Sequence, residues 1–436
     1  MTFPADLFPD TTRLAGNRLA IGGCDLVALA VRYGTPLYVY DEATIRSRAR
    51  AIRDAVTASY SGRATVCYAA KAYVAPWLLE LIESEGLGLD VVSGGELHVA
   101  VVAKFPRDRI FFHGNNKTED ELDFALQQKI ARIVVDNLDE VAPLGRLAAA
   151  YGMKQPVLLR VGPRVETDTH AHLLTGATDT KFGLDIASGA AAEGVRAILA
   201  QPSLDLRGLH AHIGSQIRDL EAYRAAVGRV FAFAAAMRET TAFVMREMSP
   251  GGGYAVRYTP DDPAVDVAEM VRAVAGAVSA AAKTHRFDPP DLTLEPGRSI
   301  IAPAGVALYR VGSVKKGART YVAVDGGMSD NIRPTAYGAQ YTAALANRVN
   351  DGGVTNVAIA GKYCETGDIL IQKVALPLPR VGDLVAVPVS GAYQLAMASN
   401  YNMARRPAVV AVADGASRLV TARETHDQLM TRETPP

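Results

Sequence analysis

From about residue 37 to 300, short apolar runs alternate with amphipathic stretches. Thr65-Val66-Cys67-Tyr68-Ala69 reads as a strand, and Pro76 to Ile82 follows as a helix with proline at its start. Leu87 to Val92 is strand-like and Gly95 to Ala103 helical. The alternation recurs at Arg109–His113 with Glu119–Gln128, Ala131–Asp136 with Asn137–Tyr151, Val157–Val161, Leu206–Ile213 with Leu220–Thr240, Phe243–Met248 and Leu292–Glu295. About eight such strands predict a parallel (β/α)8 TIM-like barrel. A doubly wound sheet is the competing architecture, because periodicity does not report closure.

After about residue 302 the pattern changes. Val306–Gly312, Thr320–Val324, Asn356–Ala360, Leu384–Pro388 and Ala408–Val412 are short and apolar, separated by Gly, Asp and Pro. They predict an all-β domain, a barrel or sandwich. The expected organisation is an N-terminal segment 1–36 packing with the β-domain, a barrel over 37–300 and the β-domain over 301–436. Leu37-Tyr38-Val39-Tyr40 suits either unit, and Glu424 to Pro436 reads as a frayed end.

Charge narrows the function classes. Lys+Arg and Asp+Glu both number 46, which argues against nucleic acid or an anionic membrane surface as partner. We find no apolar run long enough for a membrane span and no signal-peptide pattern at the N-terminus. Three scattered cysteines, Cys24, Cys67 and Cys364, suit neither a disulfide framework nor a structural zinc site, and point to the cytoplasm.

In a barrel, chemistry gathers after the strands' C-terminal ends. Lys71 ends an apolar strand there, where desolvation can turn an amine into a nucleophile, although a surface lysine with a buried stem is the commoner case. His210 and His212 flank the end of another strand and, by strand alternation, face one side. They read as a metal pair or, more readily, as one packing and one site histidine. Gly251-Gly252-Gly253 lets backbone amides approach a phosphate, or is a plain turn. Glu295-Pro296-Gly297-Arg298 sets an anion and a cation at one rim, and Cys364-Glu365 lies in a loop between Gly361 and Gly367.

Taken in order, Tyr68-Ala69-Ala70-Lys71-Ala72, Phe112-His113-Gly114-Asn115-Asn116-Lys117, Lys181-Phe182-Gly183, His210 to Gln216, Gly251–Gly253, Glu295–Arg298, Asp325 to Pro334 and Cys364-Glu365 resemble the fold-type III pyridoxal-phosphate decarboxylases, and most of all their diaminopimelate branch. The likeness runs from about Gly34 to Pro407. It implies pyridoxal 5'-phosphate as cofactor, with Lys71 as its covalent anchor, Glu295 against the pyridine nitrogen and His212 stacked on the ring. Ser215, Gly251, Gly252, Gly253, Gly297, Arg298 and Tyr393 would hold the phosphate. Cys364 would return a proton to the α-carbon. Arg298, Arg333 and Tyr337, with Tyr393, would bind a distal carboxylate, and Glu365 a distal ammonium.

The resemblance further implies a homodimer in which Cys364 and Glu365 enter the partner's site, and decarboxylation of meso-2,6-diaminopimelate to L-lysine. Two arginines suit a substrate with a second carboxylate better than ornithine, lysine or arginine. Tyr73, Tyr254-Ala255 and Gly361-Lys362 depart from the family's usual residues without removing any of these chemical groups. A decarboxylase for another basic amino acid, a metal-dependent barrel hydrolase using His210 and His212, and a non-catalytic cofactor-binding relative are the alternatives.

Overall fold

The computed structural model describes residues 3–165 and 181–434, so the loop carrying His170 and His172 lies outside the described residues. The chain divides into two compact units. One comprises Ala49–Ala255 and Val265–Ser299; the other comprises Met1–Arg48, Val256–Ala264 and Ile300–Pro436.

The first unit is a closed parallel barrel, as the strand–helix alternation predicts. Its strands are Ala64–Ala69, Gly88–Val91, Ile110–Phe112, Arg132–Val135, Gln155–Gly162, Leu204–His210, Glu247–Gly251 and Asp291–Leu294. Each pairs with the next, and Asp291–Leu294 pairs back on Ala64–Ala69. Helices return the chain between strands. Their starts are written in the sequence: the side chains of Ser93, Thr118, Asp219 and Asp266 each accept a first-turn amide of the helix that follows. Inside the barrel, Cys67, Phe111, Val134 and Leu158 pack together. At the N-terminal end Glu247 receives Arg132 at 2.7 and 2.5 Å and Arg207 at 2.9 Å. This end is closed by ion pairs, and the opposite end carries the candidate chemistry.

One strand lies later than the sequence pattern predicts. Phe243 and Met245 are buried and Val244 is exposed, a genuine alternation, yet Thr241–Arg246 is a connector and the strand spans Glu247–Gly251. The first residue of the glycine triplet is therefore part of the sheet.

The second unit is β-rich. Its main sheet runs in the order Ile369–Pro377, Val354–Ala360, Thr320–Val324, Gly305–Lys315, Leu37–Asp41, Ala408–Ala413, Ala416–Thr421. Leu37–Asp41 pairs antiparallel with Gly305–Leu308 and parallel with Ala408–Val412. The boundary drawn at residue 37 thus differs from the observed one, which follows this strand and falls at Arg48. The strand is buried on both faces. Leu37 and Val39 join Leu19, Ile21, Val306 and Val410 in one core, while the Tyr38 and Tyr40 hydroxyls, on the other face, reach Gln394 Oε1 at 2.8 Å and the Gly391 carbonyl at 2.9 Å. The C-terminal end is also more ordered than expected. Thr425 and Gln428 form a reciprocal cap that starts the helix His426–Met430. Among the described residues, no helix is long and apolar enough to cross a membrane.

Candidate active site

Lys71 sits half-buried in a short turn, Ala70–Ala72, directly after the strand Ala64–Ala69. Glu295 follows the strand Asp291–Leu294 and is buried. Its carboxylate meets His210 Nε2 at 3.0 Å and accepts the Ser249 hydroxyl at 2.6 Å, with His113 Nε2 at 3.7 Å. Burial alone would raise the Glu295 pKa. The two imidazoles and the hydroxyl outweigh it and hold the group well below the usual carboxylate range. Glu295 is therefore a buried anion at neutral pH. Asp90 lies 3.5 Å from the same His113 Nε2. Burial and the Glu295 charge push its carboxyl pKa well upward.

His210 and His212 do not act as a side-by-side pair. His210 is the last residue of its strand and faces Glu295, whereas His212 lies beyond the strand, where alternation no longer applies. The Gly252 N–H points at His212 Nδ1 at 3.4 Å, which makes Nδ1 the unprotonated ring nitrogen. Burial, with Lys71 and Arg160 nearby, pushes this imidazole's pKa well below its ordinary value. His212 is a neutral ring. The ligand-type atoms of His113, His210 and Glu295 lie within 4.8 Å of one another; His210 and Glu295 are hydrogen-bonded, while His113 Nε2 makes no hydrogen bond among the described residues.

The glycine triplet is needed for close packing. Gly251 and Gly253 have φ of +75° and +90°. A Cβ on Gly252 would come within 2.0 Å of the Glu295 carbonyl oxygen, and one on Gly253 within 2.2 Å of the Gly214 carbonyl oxygen. The loop is also held from below, since Tyr223 donates to the Gly252 carbonyl at 2.7 Å and stacks on Tyr254 with centroids 5.8 Å apart. The departure at Tyr254 thus supports the loop. Ser215 Oγ accepts Arg298 Nη2 at 3.0 Å, and the buried Ser299 Oγ has no partner among the described residues. An anion-seeking guanidinium with two nearby hydroxyls fits a phosphate. A buried anion at Glu295 fits a protonated pyridine nitrogen, and an amine at Lys71 fits an aldehyde.

The remaining candidates lie in the β-rich unit. Arg333 starts the helix Arg333–Tyr337 and is 6% exposed. Its guanidinium carbon lies 4.9 Å from the Tyr258 ring centroid and 5.6 Å from that of Tyr341, and Nη1 donates to the Tyr341 hydroxyl. The two rings meet edge to face at 5.3 Å. No carboxylate of the described residues pairs with it. Tyr337 is 40% exposed, and Cys364 and Glu365 are exposed on one turn. Lys362, a departure from the family pattern, lies over the Tyr363 ring at 5.7 Å. Tyr393 has φ +59°, following the tightly packed Gly391, where a Cβ would meet the Ile301 carbonyl oxygen at 1.9 Å.

Sequence reasoning assigned no role to Asp90, Arg160, Ser249, Tyr258 or Tyr341. Asp90 and Arg160 carry a readable signal, a charge inside an otherwise apolar strand. The tyrosines carry none, because their role comes from contact with Arg333 across the fold.

The family described as "Pyridoxal-dependent decarboxylase, pyridoxal binding domain" matches residues 42–302. The chain belongs to the pyridoxal-dependent decarboxylases. It is 46% identical to the diaminopimelate decarboxylase of Bacillus subtilis (strain 168) over 421 residues, 96% of each protein. It is 43% identical to that of Mycobacterium tuberculosis (strain H37Rv), covering 97% of this chain and 96% of that one. Among solved structures, the diaminopimelate decarboxylase of M. jannaschii in complex with L-lysine superposes with a TM-score of 0.91 at 31% identity, covering 98% of each chain. This family's cofactor is the group that Lys71, His212 and Glu295 fit.

Proposed function

We propose that the protein removes CO2 from meso-2,6-diaminopimelate to give L-lysine, the last step of lysine synthesis. The observation that carries this reading is Arg333: a buried guanidinium, held by two tyrosines, with no acidic partner among the described residues. An uncompensated buried cation is costly, several kcal/mol in ordinary cases, and a ligand carboxylate removes the cost. A substrate ending in an ammonium alone would not. The near-full-length likeness to diaminopimelate decarboxylases supports the same substrate.

Pyridoxal phosphate, when bound, supplies the conjugated ring that takes up the electron pair left on the α-carbon as CO2 leaves. The protein's residues do the rest. Lys71 anchors the cofactor through its amine. Glu295, kept ionised by His210, His113 and Ser249, favours a proton on the ring nitrogen. His212, neutral, would sit against the ring without adding a competing charge. Ser215, Arg298 and the backbone at Gly251–Gly253 and Gly297 hold the phosphate, with Tyr393. Arg333, Arg298 and Tyr337 bind the substrate's distal carboxylate, and Glu365 its distal ammonium. The Cys364 thiol delivers a proton to the α-carbon.

The protein acts as a homodimer in which Cys364 and Glu365 serve the other copy's substrate, and three free cysteines suit the reducing cytoplasm. The test is a substrate panel with the cofactor-loaded protein. Turnover of meso-diaminopimelate, with little or none of lysine, ornithine and arginine, is expected. Preference for a substrate lacking the distal carboxylate would overturn the assignment of Arg333.

A further inference from the structure

Cys364 and Glu365 lie on the turn between the strands Val354–Ala360 and Ile369–Pro377, and both side chains are exposed. A group that must aim a proton from an exposed turn needs a backbone fixed by other residues. Asp368 provides this fixation. It is 2% exposed, and its carboxylate accepts the backbone N–H of Met328 at 2.7 Å and of Tyr363 at 2.9 Å. One contact is next to Cys364; the other lies in the segment that leads to Arg333. The Asp368 carbonyl accepts the Gly361 N–H at 2.9 Å, and Lys362 N–H reaches the Gly326 carbonyl at 3.1 Å. Gly327 and Gly361 make room for the carboxylate, since a Cβ on either would come within 2.6 and 2.1 Å of its oxygens.

A second tie is independent of the first. The Thr335 hydroxyl, on the helix Arg333–Tyr337, donates to the Gly367 carbonyl at 2.8 Å. The Ser329 and Tyr363 hydroxyls are also bonded to each other. The turn carrying Cys364 and Glu365 is thus joined at several points to the segment carrying Arg333.

We infer that Asp368 and Thr335 are positioning residues that lock the Cys364–Glu365 turn onto the Met328–Tyr337 segment and so aim the Cys364 proton. This rests on the decarboxylase reading given above. Neither residue is asked to touch substrate or cofactor.

Asp368→Asn keeps the shape but removes one acceptor and sets an amide N–H against a backbone donor. Its kcat should fall roughly 10- to 100-fold, a fraction of what a general acid contributes. KM for meso-diaminopimelate should rise alongside, because Glu365, which binds the distal ammonium, sits on the same turn. The cofactor dissociation constant should not change. The readout free of catalysis is alkylation of Cys364 by iodoacetamide, followed by peptide mass. Cys24 and Cys67 are buried, so Cys364 reacts first. Its rate should change several-fold in Asp368→Asn. Thr335→Val should shift kcat and alkylation in the same direction, and Thr335→Ser, which keeps the hydroxyl, should restore both.

Wild-type kcat and alkylation rate in Asp368→Asn would overturn the inference. Should Asp368→Asn not fold, equal behaviour of Thr335→Val and Thr335→Ser would overturn it instead. If the wild-type protein fails to decarboxylate meso-diaminopimelate, the functional reading falls, while the alkylation rates still judge the clamp.

Discussion

Replacing Arg333 with Met separates recognition from stability. In the free protein the guanidinium is buried against the rings and hydroxyls of two tyrosines, with no carboxylate partner among the described residues. Cation–π contact contributes about 0.5–2 kcal/mol per ring, and a hydrogen bond to a charged group about 1.5–3 kcal/mol. Against this stands a desolvation cost of several kcal/mol for a buried charge. The two sides nearly cancel, so Arg333→Met should change stability by no more than about 2 kcal/mol, or roughly 5 °C in Tm. Its effect on turnover should be far larger. Losing a buried charge-assisted pair with the substrate costs about 2–5 kcal/mol, a fall in kcat/KM of roughly 30- to several-thousand-fold. Differential scanning calorimetry and steady-state kinetics on one preparation make the comparison. A Tm loss above 10 °C with a parallel loss of activity would make Arg333 a structural residue. Unchanged kcat/KM would remove it from the substrate site.

Other outcomes follow from single groups. Lys71→Ala should lose the borohydride-reducible link to the cofactor and nearly all turnover; retained turnover would place the anchor elsewhere. Cys364→Ala should still bind the cofactor but lose roughly 10²–10⁴ in kcat, and normal turnover would show another proton donor. Asp330 is buried and hydrogen-bonded to the Tyr309 hydroxyl at 2.7 Å, and burial raises its pKa to about 6. A raised folded pKa favours the protonated native state. This contribution is complete below about pH 4 and is lost as pH rises through 6, amounting to about 3 kcal/mol. Asp330→Asn should therefore show a smaller decline in Tm between pH 5 and 7.5 than wild type, and an equal decline would refute the assignment.

The barrel was legible because its strands and helices alternate locally. Lys71, Glu295 and Arg298 stood out as charges at the ends of apolar strands. What escaped was non-local. The run Leu37–Asp41 is apolar on both faces, and only its partners Gly305–Leu308 and Ala408–Val412 decide its sheet. Tyr258 and Tyr341 are far apart in sequence, and nothing near either announces Arg333. The Thr425–Gln428 cap is local and readable, yet the segment Glu424 to Pro436 reads as frayed when its cap is not looked for.

The most direct test of the account is the product balance from meso-diaminopimelate with the pyridoxal-phosphate-loaded protein, with CO2 and L-lysine measured in the same tube and cofactor-free protein as control. One L-lysine for each CO2, dependent on the cofactor, is the predicted result. Absence of both products from protein that has bound the cofactor, or CO2 without lysine, would contradict it.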